Sequence, residues 1–319
     1  MSLEELFTRH PANPIITVQD IPFPAKSVCN PAACRLENET LLLLRVTDPE
    51  DVSQLVVARS SDGVGGWRFT TPPLLSPRPE AAWYETLGCE DPRITYLPDR
   101  REYVIAYVGY SQVGAGVCLA TTRDFLTLER LGLVIHPYDK DAALFPRKIG
   151  GRYWLLHRPS SGPLENVWLS ESEDLYHWGS PRCVLREEDK PGWDSGKVGA
   201  GPPPIETPDG WLLIYHGAEQ KENGWLYRVG LTLLDLDDPS KIIARVPHWV
   251  LEPCEPYEIS GDKPGIIFPT GTTLVNGVLS LYYGAADTSV ALATAPLDSL
   301  LQALRKAGAE SRPGATPPA

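Results

Sequence analysis

The sequence has no long apolar run, no cysteine pair at metal or redox spacing, and only one methionine. Without about 20 consecutive apolar residues no helix can span a bilayer, so a membrane partner is not expected. The six cysteines (29, 34, 89, 118, 183 and 254) form no C-x-x-C. They read as scattered reduced thiols, with neither a disulfide framework nor a metal site. Residues 1–10 carry Glu4 and Glu5 but no apolar leader core, so no signal peptide is expected and the chain reads as cytoplasmic. Basic residues are also scarce: 29 Lys and Arg face 41 Asp and Glu, a net charge of −12. That balance argues against nucleic acid or an anionic membrane as partner. No G-x-x-x-x-G-K-S/T, G-x-S-x-G or H-E-x-x-H occurs, which sets aside the nucleotide P-loop, the serine-hydrolase elbow and the zinc-protease helix.

Proline and glycine, by contrast, are abundant at 32 and 27 residues, which makes turns frequent and long helices few. The chain reads as one domain over residues 1–305 followed by a disordered tail over 306–319, with a short helix at 297–304. Within the domain one grammar recurs five times. A Pro opens a short strand, a turn follows, and an apolar strand ends in an aromatic, His or Arg. A further strand then closes the unit. The Pro anchors are Pro31, Pro92, Pro146, Pro204 and Pro269, at spacings of 61, 54, 58 and 65. Asp209-Gly210 and Asn276-Gly277, flanked by apolar residues, are hairpin signals, and Gly150-Gly151 fits the same role. A hairpin cannot bury its own faces, so hairpins repeated at a regular period imply radially stacked sheets. The expected fold is all-β, a five-bladed β-propeller, with a pair of β-sandwiches as the alternative. Residues 13–18 are expected to add a strand to the last blade.

In such a ring the polar residues at corresponding strand ends converge. They include Asn30, Arg45, Asp91, Arg93, Arg158, Lys197, His216 and Asp287. Glu90-Asp91-Pro92-Arg93 is the densest charged stretch, and Pro92 biases Asp91 toward an extended or turn geometry. His157 reads as a satisfied core histidine. Arg45, Arg158, Lys197 and His216, gathered in an acidic protein, suit an oxyanion, and phosphate is the natural candidate. Tyr107, Trp154, Tyr227, Tyr282 and Tyr283 are weaker candidates for the walls. The glycines flanking Lys197 point to a close backbone approach to something small.

Taken in order, seven motifs resemble glycoside hydrolase family 130, the β-mannoside phosphorylases and their hydrolytic relatives. They are Asn30-Pro31-Ala32, Glu90-Asp91-Pro92-Arg93, Leu155-Leu156-His157-Arg158-Pro159, Trp193-Asp194-Ser195 with Lys197-Val198-Gly199, Gly210 to Gly217, Phe268-Pro269-Thr270-Gly271, and Tyr282 to Asp287. The resemblance implies a five-bladed propeller and inverting phosphorolysis. Asp91 matches the proton donor, which acts through a sugar hydroxyl on the glycosidic oxygen. Inorganic phosphate attacks the anomeric carbon from the opposite face and gives α-mannose 1-phosphate. Phosphate is already an anionic nucleophile, so one carboxylate is enough, where an inverting hydrolase needs two set about 6.5–9.5 Å apart.

By the same resemblance Arg45, Arg158, Lys197, His216 and Tyr227 fall on phosphate-site positions. Asn30, Arg93 and Asp287 fall on the mannose subsite. The expected partners are a β-1,2- or β-1,4-linked manno-oligosaccharide and phosphate as co-substrate, with no cofactor and no metal. Oligomeric state is left open, a homo-oligomer included. A β-mannosidase would need a second carboxylate as base, for which Glu85, Glu90 or Asp262 are the candidates. A non-catalytic carbohydrate-binding propeller would lack the cationic set, and an arabinanase-like glycosidase would need two further spaced carboxylates.

Overall fold

Four leucines in succession, Leu41 to Leu44, break the in–out alternation of a half-exposed strand, and the reason is that both faces are buried. Leu41 and Leu43 pack with Cys89, Ile105 and Tyr107, whereas Leu42 and Leu44 pack with Tyr282, Val290 and Leu292. The same holds around the whole molecule. The computed structural model describes residues 5–78, 80, 82–187 and 192–310. Its strands form five antiparallel meanders, and a separate apolar cluster fills the space between each meander and the next. Burying both faces of every sheet in this way accounts for the apolar runs in the sequence.

The first unit consists of Ser27–Leu36, Glu39–Thr47, Ser53–Ser60 and Arg68–Phe69. The second consists of Gly88–Leu97, Glu102–Ser111, Gly114–Thr122 and Glu129–Ile135. One parallel pair, Ser53 with Gly88, links the two units into a single sheet. The third unit runs Asp139–Leu144, Tyr153–Pro159, Val167–Ser172 and Gly179–Leu185. The fourth runs Lys197–Ala200, Ile205–Thr207, Gly210–Lys221, Gly224–Leu234 and Ile242–Arg245. The fifth is Ile267–Val275, Val278–Ala285 and Ser289–Pro296, completed by Thr8–Arg9 from the start of the chain. Among the described residues none of the sheets closes on itself. The first strand of unit one packs on the first strands of units two and five.

Several boundaries differ from those read in the sequence. The strand added to the last unit is Thr8–Arg9, and residues 13–18 contribute only a single bridge, Ile16 to Val290. The third unit opens at Asp139, so Pro146 follows its first strand and does not start it. Likewise the fourth opens at Lys197, ahead of Pro204. The stretch Asp139-Lys140-Asp141 resembles a charged turn, and it can be a strand only because distant cations neutralise it. The terminal helix Leu297–Glu310 is longer than the expected 297–304, because Leu300, Leu301 and Leu304 seat it on the core between units four and five. The expected tail from 306 therefore begins inside this helix, and residues 311–319 lie outside the described residues.

One local device shapes the centre. In the first strands of units one, two and three the pairing register shifts, between Cys29 and Ala32, Glu90 and Arg93, and Lys140 and Ala143. Each bulge holds one residue in the left-handed region: Asn30 at φ 47°, Asp91 at φ 47° and Asp141 at φ 54°. Asn and Asp tolerate that region better than other side chains, and a bulge re-aims the side chain it carries.

Candidate active site

The three bulges deliver Asn30, Asp91 and Asp141 to the wall of one cavity of about 140 Å³. Asn30 Nδ2 donates to Asp91 Oδ1 at 2.7 Å. Room for Asn30 exists because residue 284 is glycine: a Cβ there would lie 1.9 Å from Asn30 Oδ1. Arg45 forks across two carboxylates, with Nη2 donating to Glu90 Oε1 at 2.8 Å and Nη1 to Asp91 Oδ1 at 3.1 Å. Its Nε donates to Ser53 Oγ at 3.1 Å. The two neighbouring carboxyls are driven apart. Burial raises Glu90 above its usual value, with Arg45 offsetting only part of the effect. Burial acts on Asp91 in the same sense, but Arg45, Arg93 and the Asn30 hydrogen bond outweigh it and hold Asp91 below its usual value.

Arg158 is the centre of the second charge cluster. Its Nε donates to Asp141 Oδ2 at 2.7 Å, and its Nη1 donates to Glu165 Oε2. Asp141 also faces His216 Nε2 at 3.5 Å and Arg93 Nη2 at 3.9 Å. Burial would raise Asp141, but Arg158, His216 and Arg93 together hold it far below the carboxylate range. His216 is fully buried, and among the described residues neither ring nitrogen has a hydrogen-bond partner. Burial first, then the cations Arg158, Arg93 and Lys197, push its pKa down to about 3 against the pull of Asp141, so the ring is neutral. It stacks on Tyr227, with centroids 5.4 Å apart, and packs on Phe268 at 4.7 Å. Lys197 Nζ sits 4.0 Å from the centroid of the Trp225 ring and 3.9 Å from Glu165 Oε1, and burial lowers its pKa. A Cβ on residue 199 would lie 2.3 Å from His216 Cε1 and 2.4 Å from Asp141 Oδ2. The close approach expected beside Lys197 is therefore to the site's own side chains.

Asn30, Arg45, Asp91, Arg158, Tyr227 and Asp287 all line this cavity. Lys197 and His216 stand just behind, joined to it through Glu165 and Tyr227. Arg93 does not reach the wall. It is fully buried and donates to the backbone carbonyls of Asp91 at 2.7 Å and Gly201 at 2.9 Å. Because it ties unit two to unit four, it positions Asp91 and does not face the cavity. His157 turns to the other face of its strand, where Asp139 and Ser170 satisfy both ring nitrogens at 2.8 and 2.9 Å. Of the five aromatics expected at the walls only Tyr227 lines the cavity, since Tyr107, Trp154, Tyr282 and Tyr283 belong to the apolar clusters. Glu85 is held by Tyr107 at 2.5 Å and Arg130 at 3.2 Å, away from the cavity, which removes it as a base.

Four charged residues in or beside the cavity are not among the candidates the sequence offered: Lys140, Asp141, Glu165 and Lys263. Asp141-Ala142-Ala143 parallels Asn30-Pro31-Ala32 and could have been found by aligning the units without requiring Pro. Lys263, whose Nζ pairs with Asp287 Oδ2 at 2.8 Å, sits in an irregular loop with no pattern to mark it. With Arg45 and Asp287 it separates the first cavity from a second of about 350 Å³, lined also by Lys26, Asp51 and Asp262. All six cysteines are free. Among the described residues no group of three or more His, Cys, Asp or Glu is gathered as a metal ion would need. None of the helices described is long and apolar enough to cross a membrane.

The sequence model of glycoside hydrolase family 130, described as beta-1,4-mannooligosaccharide phosphorylase, matches residues 8–306. A 1,2-beta-oligomannan phosphorylase of a Thermoanaerobacter species is 38% identical over 245 residues, covering 76% of this chain and 78% of that protein. A beta-1,4-mannooligosaccharide phosphorylase of Ruminococcus albus is 32% identical over 311 residues, covering 93% and 90%. Among solved structures, a beta-1,2-mannobiose phosphorylase from Listeria innocua, in complex with beta-1,2-mannobiose, superposes with a TM-score of 0.85. It is 31% identical, and the match covers 94% of this chain and 99% of that one.

Proposed function

Since the chain belongs to glycoside hydrolase family 130, we propose that it cleaves β-mannosides by inverting phosphorolysis, with β-1,2-linked manno-oligosaccharides as its first substrates. The observation that carries the reading is the pairing, in one cavity, of an acid cluster around Asp91 with a cationic cluster around Arg158. The linkage follows the relatives: the β-1,2 enzyme is 38% identical and the β-1,4 enzyme 32%. β-1,4-Linked substrates are the second reading, because the family description names them.

In this reading the mannosyl unit lies between Asp91 and Arg158, held by Asn30 and Asp287. Phosphate binds Arg45, Arg158, Lys197, His216 and Tyr227. Arg93 holds the Asp91 backbone in place. In the unliganded chain Asp91 is ionised. An arriving phosphate dianion draws Arg45 toward itself and adds negative charge nearby. Both effects raise the Asp91 carboxyl, so that it takes up from solvent the proton it then donates. That proton passes through a sugar hydroxyl to the glycosidic oxygen. The C–O bond breaks, the shortened saccharide leaves as an alcohol, and a phosphate oxygen bonds to the anomeric carbon from the opposite face. The products are α-mannose 1-phosphate and the shortened saccharide.

The scaffold in this reading is a five-bladed propeller, supported by five meanders with an apolar cluster between each pair of neighbours. A charged sugar phosphate is retained where it is made, which suits a cytoplasmic enzyme. The test is to incubate the protein with β-1,2- and β-1,4-mannobiose, with and without inorganic phosphate, and to assay mannose 1-phosphate against free mannose. Free mannose formed equally well without phosphate would show a hydrolase.

A further inference from the structure

Two carboxylates already occupy the cations around Arg158. Asp141 pairs with Arg158 Nε, Glu165 pairs with Arg158 Nη1 and lies 3.9 Å from Lys197 Nζ, and His216 is neutral. A phosphate dianion brought to these cation faces meets like charge unless one carboxylate moves away. The two carboxylates differ in their freedom to do so. Asp141 is fully buried on the strand Asp139–Leu144 and also faces His216 and Arg93. Glu165 lies between the strands Tyr153–Pro159 and Val167–Ser172, outside both, and its side chain is 24% exposed. Its carbonyl accepts the Val198 N–H at 2.9 Å, so the main chain is anchored while the side chain is left with a route to solvent.

We propose that Glu165 is an internal competitor of phosphate. Its carboxylate holds the anion-binding faces of Arg158 and Lys197 while no phosphate is bound, and it turns outward when phosphate arrives. The inference rests on the reading of Arg158 and Lys197 as phosphate ligands. Two consequences follow for the reaction. The cations stay paired and oriented in the empty site, where an unpaired buried guanidinium would be costly. Phosphate affinity is also held down, and so is affinity for the phosphoryl group of the product, which aids product release.

The experiment compares the full-length protein with its Glu165→Gln, Glu165→Ala and Arg158→Ala variants. Phosphate KM is measured at saturating mannoside, and inorganic phosphate is titrated calorimetrically without saccharide. Glu165→Gln keeps the shape and removes the charge, so phosphate KM and Kd are expected to fall about tenfold, with mannoside KM unmoved. Glu165→Ala should shift both in the same direction, and Arg158→Ala should raise phosphate KM. Phosphate KM and Kd unchanged or raised in both Glu165 variants, while Arg158→Ala raises KM, would overturn the competitor role and leave the phosphate site standing. An Arg158→Ala variant with unaltered phosphate dependence would overturn both.

Discussion

Replacing Asp91 by asparagine separates its charge and proton from its shape. Asp91 sits at φ 47°, where Asn is as well tolerated as Asp, so the backbone bears no new strain. Its Oδ1 accepts from Asn30 at 2.7 Å and from Arg45 at 3.1 Å, and an amide oxygen can accept both. Arg45 keeps Glu90 at 2.8 Å. Two charge-assisted hydrogen bonds therefore become neutral-acceptor bonds, each weaker by about 1 kcal/mol, while burying an amide costs less than burying a carboxylate. The net destabilisation is about 1 kcal/mol, a fall in Tm of about 1–2 °C for a chain of this length. The catalytic effect is far larger. A positioned general acid contributes about 10²–10⁴-fold, so kcat should fall by that factor. The assay is mannose 1-phosphate release from β-1,2-mannobiose under saturating phosphate, alongside a thermal melt of the same preparation. A folded Asp91→Asn protein that keeps more than about a tenth of wild-type kcat would refute the assignment of Asp91 as the acid.

Three further outcomes are expected. Arg158→Ala removes a charge-assisted anion contact and should raise phosphate KM at least tenfold, with a smaller change in mannoside KM, as initial-rate kinetics in both substrates would show. Gly284→Ala would place a Cβ 1.9 Å from Asn30 Oδ1 and push Asn30 away from Asp91. Loss of that charge-assisted bond should lower kcat by about 10–100-fold and leave phosphate KM in place. The neutral, buried His216 has its pKa lowered from 6.5 to about 3 in the folded protein. The unfolded chain therefore binds a proton that the folded one does not, and stability present above pH 6.5 is lost as pH falls from 6.5 toward 3. Thermal melts across that window should show a steeper loss for the wild type than for His216→Gln.

Much of this molecule was legible before any coordinate was known. Local chemistry dictates the all-β content, because turns rich in Gly and Pro separate short apolar runs, and each run marks a strand wherever it occurs. Candidate site residues were also readable where a polar side chain interrupts such a run, as Arg45 does after four leucines, or where a Pro follows an Asn or Asp at a strand opening, as at Asn30 and Asp91. Asp141 escaped because no Pro follows it, and Glu165 because nothing in its own neighbourhood distinguishes it from an ordinary loop carboxylate. Arg93 was assigned to the cavity because its neighbours are there. It turns away because the carbonyls of Ala200 and Gly201, more than a hundred residues further along, need donors. By itself, the sequence determined the repeating strands and the types of charge brought to the centre. Which charges meet there was decided only by the tertiary structure, since a buried ion must be neutralised by whatever the fold brings near it, and Asp91, the pair Asp141 and Arg158, and His216 reach the centre from units two, three and four.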